Sequence, residues 1–258
     1  MPTTTLQKWE KPLSREQHLE LFLQVKLDEI DAALGNEHIT GLPLIYGGTN
    51  SVWVGSGAAW VNGYGRMRVT SLLVSGASIG ASQWGHVYLY SNTGVPTIEV
   101  TTTGPTFYQG IAAQKSTDAT RRYLGSVKTN ASGNLHRWIQ IGNEMHWLDD
   151  TLSAPFRLVA NGLATTRTTV SASAVAPTTA RGLLLRAGNS STAANLHFGN
   201  SEDGTGGSTG AAVKLTGGGS TANFTMPLDG FQAFQYWYGG APGSFGAYID
   251  ACGYILQR

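Results

Sequence analysis

Near Gly35 the chain changes its chemical character, and that change limits what it can fold into. Before it lies a charged stretch with helical periodicity; after it come about 220 residues dominated by glycine, threonine, serine and aromatics. Residues 1–37 hold four Lys/Arg (Lys8, Lys11, Arg15, Lys26) and seven Asp/Glu (Glu10, Glu16, Glu20, Asp28, Glu29, Asp31, Glu37), so 11 of the 33 formal charges fall there. The other 221 residues share the remaining 22, about one in ten, against roughly 25% in an ordinary soluble domain. Hydroxyls and amides must therefore solvate most of that surface. Such a composition suits an extracellular β-protein, a virion component or a subunit that buries much of its exterior.

The helical stretch has a start, a face and a stop. Ser14 and Gln17 have the spacing of a capping box, in which each side chain satisfies a free amide, and Pro12 and Leu13 mark the entry. Leu19, Phe22, Leu23, Leu27, Ile30 and Leu34 then recur at three- and four-residue steps as one apolar stripe, with Glu16, Glu20, Lys26, Asp28 and Asp31 mostly off it. Gly35-Asn36 supplies a left-handed stop. Within the stripe, Leu23, Leu27, Ile30 and Leu34 alternate steps of four, three and four, which fits a short coiled-coil seam. Three roles stay open: packing on its own domain, self-association in a bundle, or docking on a different partner. Upstream, residues 1–11 are mainly polar, with Leu6 and Trp9 the large apolar side chains of the arm. A lone tryptophan in such an arm can anchor it in a neighbour's pocket, because an indole buries much area at little ordering cost.

From residue 39 onward, runs of β-branched and aromatic residues are broken by glycine or asparagine every eight to twelve residues, as in Ser51–Val54, Arg66–Thr70, His86–Tyr90, Thr97–Thr101, Arg122–Val127 and Leu135–Ile141. That spacing predicts antiparallel β-sandwich or jelly-roll architecture. Hairpin turns are expected within residues 90–95 and 129–134, since Asn and Gly accept positive φ. Further strands are expected near 156–160, 164–170, 181–187, 195–198, 211–216, 231–238 and 246–256, with glycine-rich loop tips at 204–210 and 217–220. The fold class is thus mainly β: an N-terminal α-helix followed by one or two antiparallel β-sandwich (jelly-roll-like) domains. The divisions are an arm (1–12), a helix (13–38), a β-sandwich (39–140) and a second β unit or continuation of the first (141–258).

Composition argues against several functions. A net charge of +1, with no basic run longer than Arg121-Arg122, gives no attraction to nucleic acid or anionic membrane. The single cysteine, Cys252, precludes an intrachain disulfide framework and reads as a buried core residue. The N-terminus lacks a basic segment followed by an apolar run, and no 18 consecutive apolar residues occur, so synthesis in a cytoplasm without membrane insertion is expected.

Catalytic patterns are weak. Gly76-Ala77-Ser78-Ile79-Gly80 and Gly206-Gly207-Ser208-Thr209-Gly210 match a nucleophile elbow in letters, but neither precedes the helical pattern an elbow needs. His136, His146, Asp149 and Asp150 are the densest cluster of potential ligands, without the tight spacing of a metal motif. The two histidines flank a hairpin around Gly142-Asn143 and could face each other as a surface pair. Glu202-Asp203, in a glycine-rich loop, reads as solvated or as a weak calcium site rather than as a catalytic pair. No cofactor, no metal and no enzymatic activity are expected. The main recognition candidate is the aromatic run 231–238: as a strand it places Phe234, Tyr236 and Tyr238 on one face and Trp237 on the other, one face forming core and the other an interface or sugar platform.

The segment from Trp84 to Trp138, through Val87-Tyr88-Leu89-Tyr90, Ile98-Glu99-Val100, Thr103-Gly104-Pro105 and Lys115–Thr129, resembles structural proteins of tailed bacteriophages, especially tail fibres. The resemblance is strong over about a fifth of the chain, and no functional residue carries over. It implies a β-sandwich virion protein assembled in the host cytoplasm, commonly a homotrimer attached at its N-terminus. The expected function is a non-enzymatic short tail or collar fibre or receptor-binding subunit; the alternatives are a capsid decoration or head-fibre protein and, third, a carbohydrate-active spike. Expected partners are its own copies, other tail or capsid proteins, and a host surface polysaccharide or protein. Leu6 and Trp9 would serve attachment, and the Leu19–Leu34 stripe oligomerisation.

Overall fold

The computed structural model describes residues 39–74, 77–109, 112–202 and 211–258, and there the chain is mainly β. No α-helix occurs among these residues, and so none long and apolar enough to cross a membrane. The expected N-terminal helix and arm, including Leu6, Trp9, Leu19, Phe22, Leu23, Leu27, Ile30 and Leu34, lie outside the described residues.

Six short strands come first: β1 (Ile39–Gly41), β2 (Leu44–Gly48), β3 (Ser51–Val54), β4 (Gly57–Val61), β5 (Gly65–Val69) and β6 (Leu72–Val74). They interleave as two antiparallel sheets, β1-β4-β5 and β2-β3-β6. The sequence alternation does what a half-buried strand requires: Val52 and Val54 point in while Trp53 points out, and Met67 and Val69 are buried between outward Arg66 and Arg68. Next, β7 (Trp84–Asn92), β8 (Val95–Thr101), β9 (Pro105–Gln109), β10 (Ala112–Lys115) and β11 (Asp118–Lys128) form a sheet in the order β8-β7-β11-β10-β9. The β7–β8 hairpin closes through Thr93 and Gly94 at φ 50° and 91°, with Ser91 Oγ accepting the Gly94 amide at 2.9 Å. Two successive positive φ values match the strand twist, and this is the turn expected from Asn-Thr-Gly.

The remaining strands are β12 (Trp138–Ile141), β13 (Glu144–Trp147), β14 (Arg157–Gly162), β15 (Thr168–Ser171), β16 (Gly182–Asn189), β17 (Leu196–Gly199), β18 (Val213–Leu215), β19 (Ser220–Pro227), β20 (Ala233–Tyr238) and β21 (Ala247–Ile255). One sheet runs β12-β13-β21-β16-β19, with β14 also paired to β21; the other runs β15-β20-β17-β18. Every strand pairing among the described residues is antiparallel.

The buried apolar side chains form one cluster that runs from Leu42 to Leu256. Its middle is the β7–β11 pair, whose central residues are buried on both faces. A polar chain crosses this core: His86 Nδ1 to Ser126 Oγ at 2.8 Å, Ser126 Oγ to Tyr123 OH at 2.7 Å, and Tyr123 OH to Thr179 Oγ1 at 2.7 Å. Tyr254 OH donates to the Ser126 carbonyl at 2.6 Å. The His86 Nδ1 and the hydroxyls of Ser126, Tyr123, Thr179 and Tyr254 thereby each have a partner, which avoids the cost of leaving them dry and unpaired. Further ties join distant segments: Trp138 Nε1 donates to Leu44 O at 3.1 Å, and the Arg258 guanidinium donates to Leu42 O at 2.8 Å and Gly41 O at 2.9 Å.

Candidate ligand-binding cleft

A cleft of about 720 Å³ opens at one end of the β7–β11 pair. Strand register builds its floor. Trp84 is the cross-strand partner of Lys128, and the next segment folds back so that the His136 amide donates to Lys128 O at 2.8 Å. Trp84 is thereby set beside Lys128 and His136, some forty to fifty positions further along the chain. Thr129 holds the surrounding loops: its hydroxyl donates to Gly80 O at 2.6 Å and accepts the Gln83 amide at 2.9 Å. The 130–134 loop is closed by Asn130, whose Oδ1 accepts the amides of Ser132 and Asn134 at 2.9 and 3.1 Å. Ala154, Pro155, Ser173 and Ala174 form the opposite wall, and Trp84 Nε1 reaches across to donate to Ser173 O at 3.0 Å.

The electrostatics centre on Lys128. It is only 6% exposed, its Nζ lies 4.9 Å from the centroid of the Trp84 ring, and its sole hydrogen-bond acceptor among the described residues is Ser82 O at 3.4 Å. No carboxylate pairs with it among the described residues. Burial pulls the ammonium below the ordinary lysine range, as desolvation of a cation must. His136 is also buried; its Nδ1 donates to Asp149 Oδ2 at 2.5 Å, and its ring sits edge-on to Phe156 and Trp147. The acceptor-only carboxylate fixes which ring nitrogen carries that proton, and Nε2 is buried without a partner. Ser82, Gln83, Asn130 and Ser132 bring hydroxyls and amides to the rim.

Of the described residues singled out from sequence, His136 lines the cleft with Asp149 bonded to it, and the others fall elsewhere. Phe234, Tyr236 and Tyr238 point into the core, and Tyr238 OH donates to Asn189 Oδ1 at 3.0 Å. Trp237 lies on the other face of β20 but is also buried, stacked on His197 with centroids 5.6 Å apart and covered by the Arg167 guanidinium at 4.4 Å. Of that run only Phe231, 89% exposed, stands free of the fold. The surface pair of His136 and His146 does not form: His136 is buried against Asp149, while His146 Nε2 pairs with Glu144 at 3.0 Å and faces Ile139 across the hairpin. Cys252 is half-buried, and burial raises its thiol. Ser78 is exposed with no helix after it, and the match at 206–210 lies outside the described residues. Among the described residues, no group of three or more His, Cys, Asp or Glu side chains is placed to hold a metal.

No protein-family model matches the chain, and no curated protein matches it in sequence.

Proposed function

We propose that the chain is a non-enzymatic virion structural protein, a tail or collar fibre or receptor-binding subunit that recognises a host surface through its β-rich part. The observation that carries this reading is the cleft at Trp84, Lys128 and His136, a preformed recess with an indole, a buried cation and a hydroxyl-rich rim. Recesses of this volume with a few convergent polar groups are the usual form of small-ligand sites. The topology lends support. Strands β14 to β21 alternate between two four-stranded orders, β14-β21-β16-β19 and β15-β20-β17-β18, the connectivity of an eight-stranded jelly roll, an architecture recurrent in viral capsid and lectin domains. Fold alone does not assign a function, so the weight rests on the cleft.

The exposed face of β2-β3-β6 supports assembly into a larger body. Ile45, Trp53 and Leu73 are direct cross-strand neighbours and are 48%, 38% and 44% exposed. An apolar row of that kind is what an assembled subunit covers. In this reading residues 13–34 gather copies into a trimer, Leu6 and Trp9 attach it to the particle, and several weak contacts reinforce one another through high effective concentration. Antibody labelling of particles followed by cryo-EM should place the chain on the tail, and the purified full-length protein should block adsorption. A capsid location, or undiminished adsorption at saturating free protein, overturns the receptor role.

A further inference from the structure

We propose that the cleft binds a sugar bearing a carboxylate, with Lys128 as its counter-charge and Trp84 as its platform; this rests on the receptor-recognition reading and names its ligand class. The argument begins with charge. An ammonium taken out of water costs several kcal/mol unless an anion or a full set of acceptors compensates it. Lys128 has an indole face and one long contact to a carbonyl, and no anion among the described residues. A bound anion would complete that environment. The charge of the ligand follows from the lining: among the described residues Lys128 is its single formal cation, with no arginine and no helix N-terminus beside it. One fixed ammonium suits a singly charged carboxylate better than a phosphate dianion, for which arginine forks or several donors are the usual hosts.

The rest of the lining fits the body of a sugar. Trp84 is half-buried, leaving part of a flat apolar surface for the C–H face of a pyranose, and its indole is fixed by the bond to Ser173 O. The hydroxyls and amides of Ser82, Gln83, Asn130 and Ser132 can exchange hydrogen bonds with ring hydroxyls, which both donate and accept. The volume, about 720 Å³, accommodates one or two sugar rings.

The test is calorimetric titration of the full chain with oligosaccharides ending in glucuronic acid, glucose or glucose 6-phosphate, for wild type, Lys128→Met and Ala174→Trp. Glucuronate should bind best, with glucose at least ~10-fold weaker. Lys128→Met should lower glucuronate affinity at least ~30-fold and leave glucose unchanged, as expected when one member of a desolvated charge pair is lost. Ala174→Trp, at an exposed position on the wall, should block every ligand. If Lys128→Met does not fold, the preference for glucuronate over glucose and its loss in Ala174→Trp decide the matter. Equal binding of glucose, preference for the phosphate, or glucuronate affinity untouched by a folded Lys128→Met overturns the acidic-sugar assignment while leaving receptor recognition standing. Failure of all three sugars overturns the assignment alone if the protein still blocks adsorption, and overturns both readings if it does not.

Discussion

The buried polar chain through β7 and β11 makes the fold sensitive to acid at one identifiable residue. His86 is held with Nδ1 on Ser126 Oγ, and burial pushes it down to about 4 from an ordinary 6.5. In the unfolded chain the imidazole takes a proton as pH falls through 6.5; in the folded protein it resists until about 4. The unfolded state therefore binds more protons over that interval, and stability present above pH 6.5 is lost progressively as pH falls toward 4. A displacement of about 2.5 pH units at ~1.4 kcal/mol each gives about 3.5 kcal/mol in full. The assay is urea denaturation of wild type and His86→Asn at intervals from pH 7.5 to 4.5. His197, lowered by burial and then by Lys214, titrates in the same direction, so the difference between the two proteins isolates His86. Asp118, held low chiefly by its hydrogen bonds from Thr120, acts in a lower window, since it loses its stabilising charge only below the ordinary carboxylate range. The wild type should lose about 2.5 kcal/mol relative to the variant between pH 7.5 and 4.5, the rest falling below that range. A difference that stays flat with pH refutes the reasoning.

Three further outcomes follow from close packing and buried charge. A Cβ at Gly253 would lie 2.1 Å from Met145 O, a backbone atom of the paired strand, so Gly253→Ala should cost about 3 kcal/mol in urea denaturation; Gly188→Ala, whose Cβ would meet only Thr221 Cγ2 at 3.5 Å, should stay within about 1 kcal/mol of wild type. Asp250 accepts from Arg157 Nε at 2.7 Å and Arg186 Nη2 at 3.1 Å, clasping β14 and β16 to β21; Asp250→Asn should destabilise by about 2 kcal/mol, and double-mutant cycles should show each arginine coupled to it. Arg258→Ala frees the carbonyls of Gly41 and Leu42, and should speed hydrogen exchange in β1 and β4 while leaving β16 and β19 protected.

Which strands could be read from sequence depended on side-chain type. Ser51–Val54, Thr97–Thr101 and 246–256 coincide closely with β3, β8 and β21, because β-branched and aromatic residues alternate there. The strand β19 was hidden: Ser220-Thr221-Ala222-Asn223 continues from three glycines and reads as loop. Its conformation comes from its partner, since it pairs with β16 without a break from Gly182↔Pro227 to Asn189↔Ser220. Local propensity cannot report a hydrogen-bond ladder supplied by residues some forty positions away. The aromatic run shows the same limit. Period-two alternation separated Trp237 correctly from Phe234, Tyr236 and Tyr238, but the cover on Trp237 comes from β17 and Arg167, which nothing in residues 231–238 announces.

The cleft was partly legible by counting. Gly142-Asn143 was the right turn, and in the hairpin Ile141 faces Glu144, Ile139 faces His146 and Trp138 faces Trp147. Carrying that count outward sets His136 across from Asp149, the pair found, so the histidine's partner follows from register once the turn is fixed. Lys128 offered a quieter sign. It closes a run, Tyr123 to Thr129, that is buried throughout, and a lysine in such a strand must end in an anion, an aromatic face or water. That Trp84 supplies the face follows only from the pairing of β7 with β11, forty-four positions away in sequence. Long-range register converts an anomalous inward lysine into one wall of a recess, and its lack of a carboxylate partner among the described residues is the chemical ground for the proposed anion.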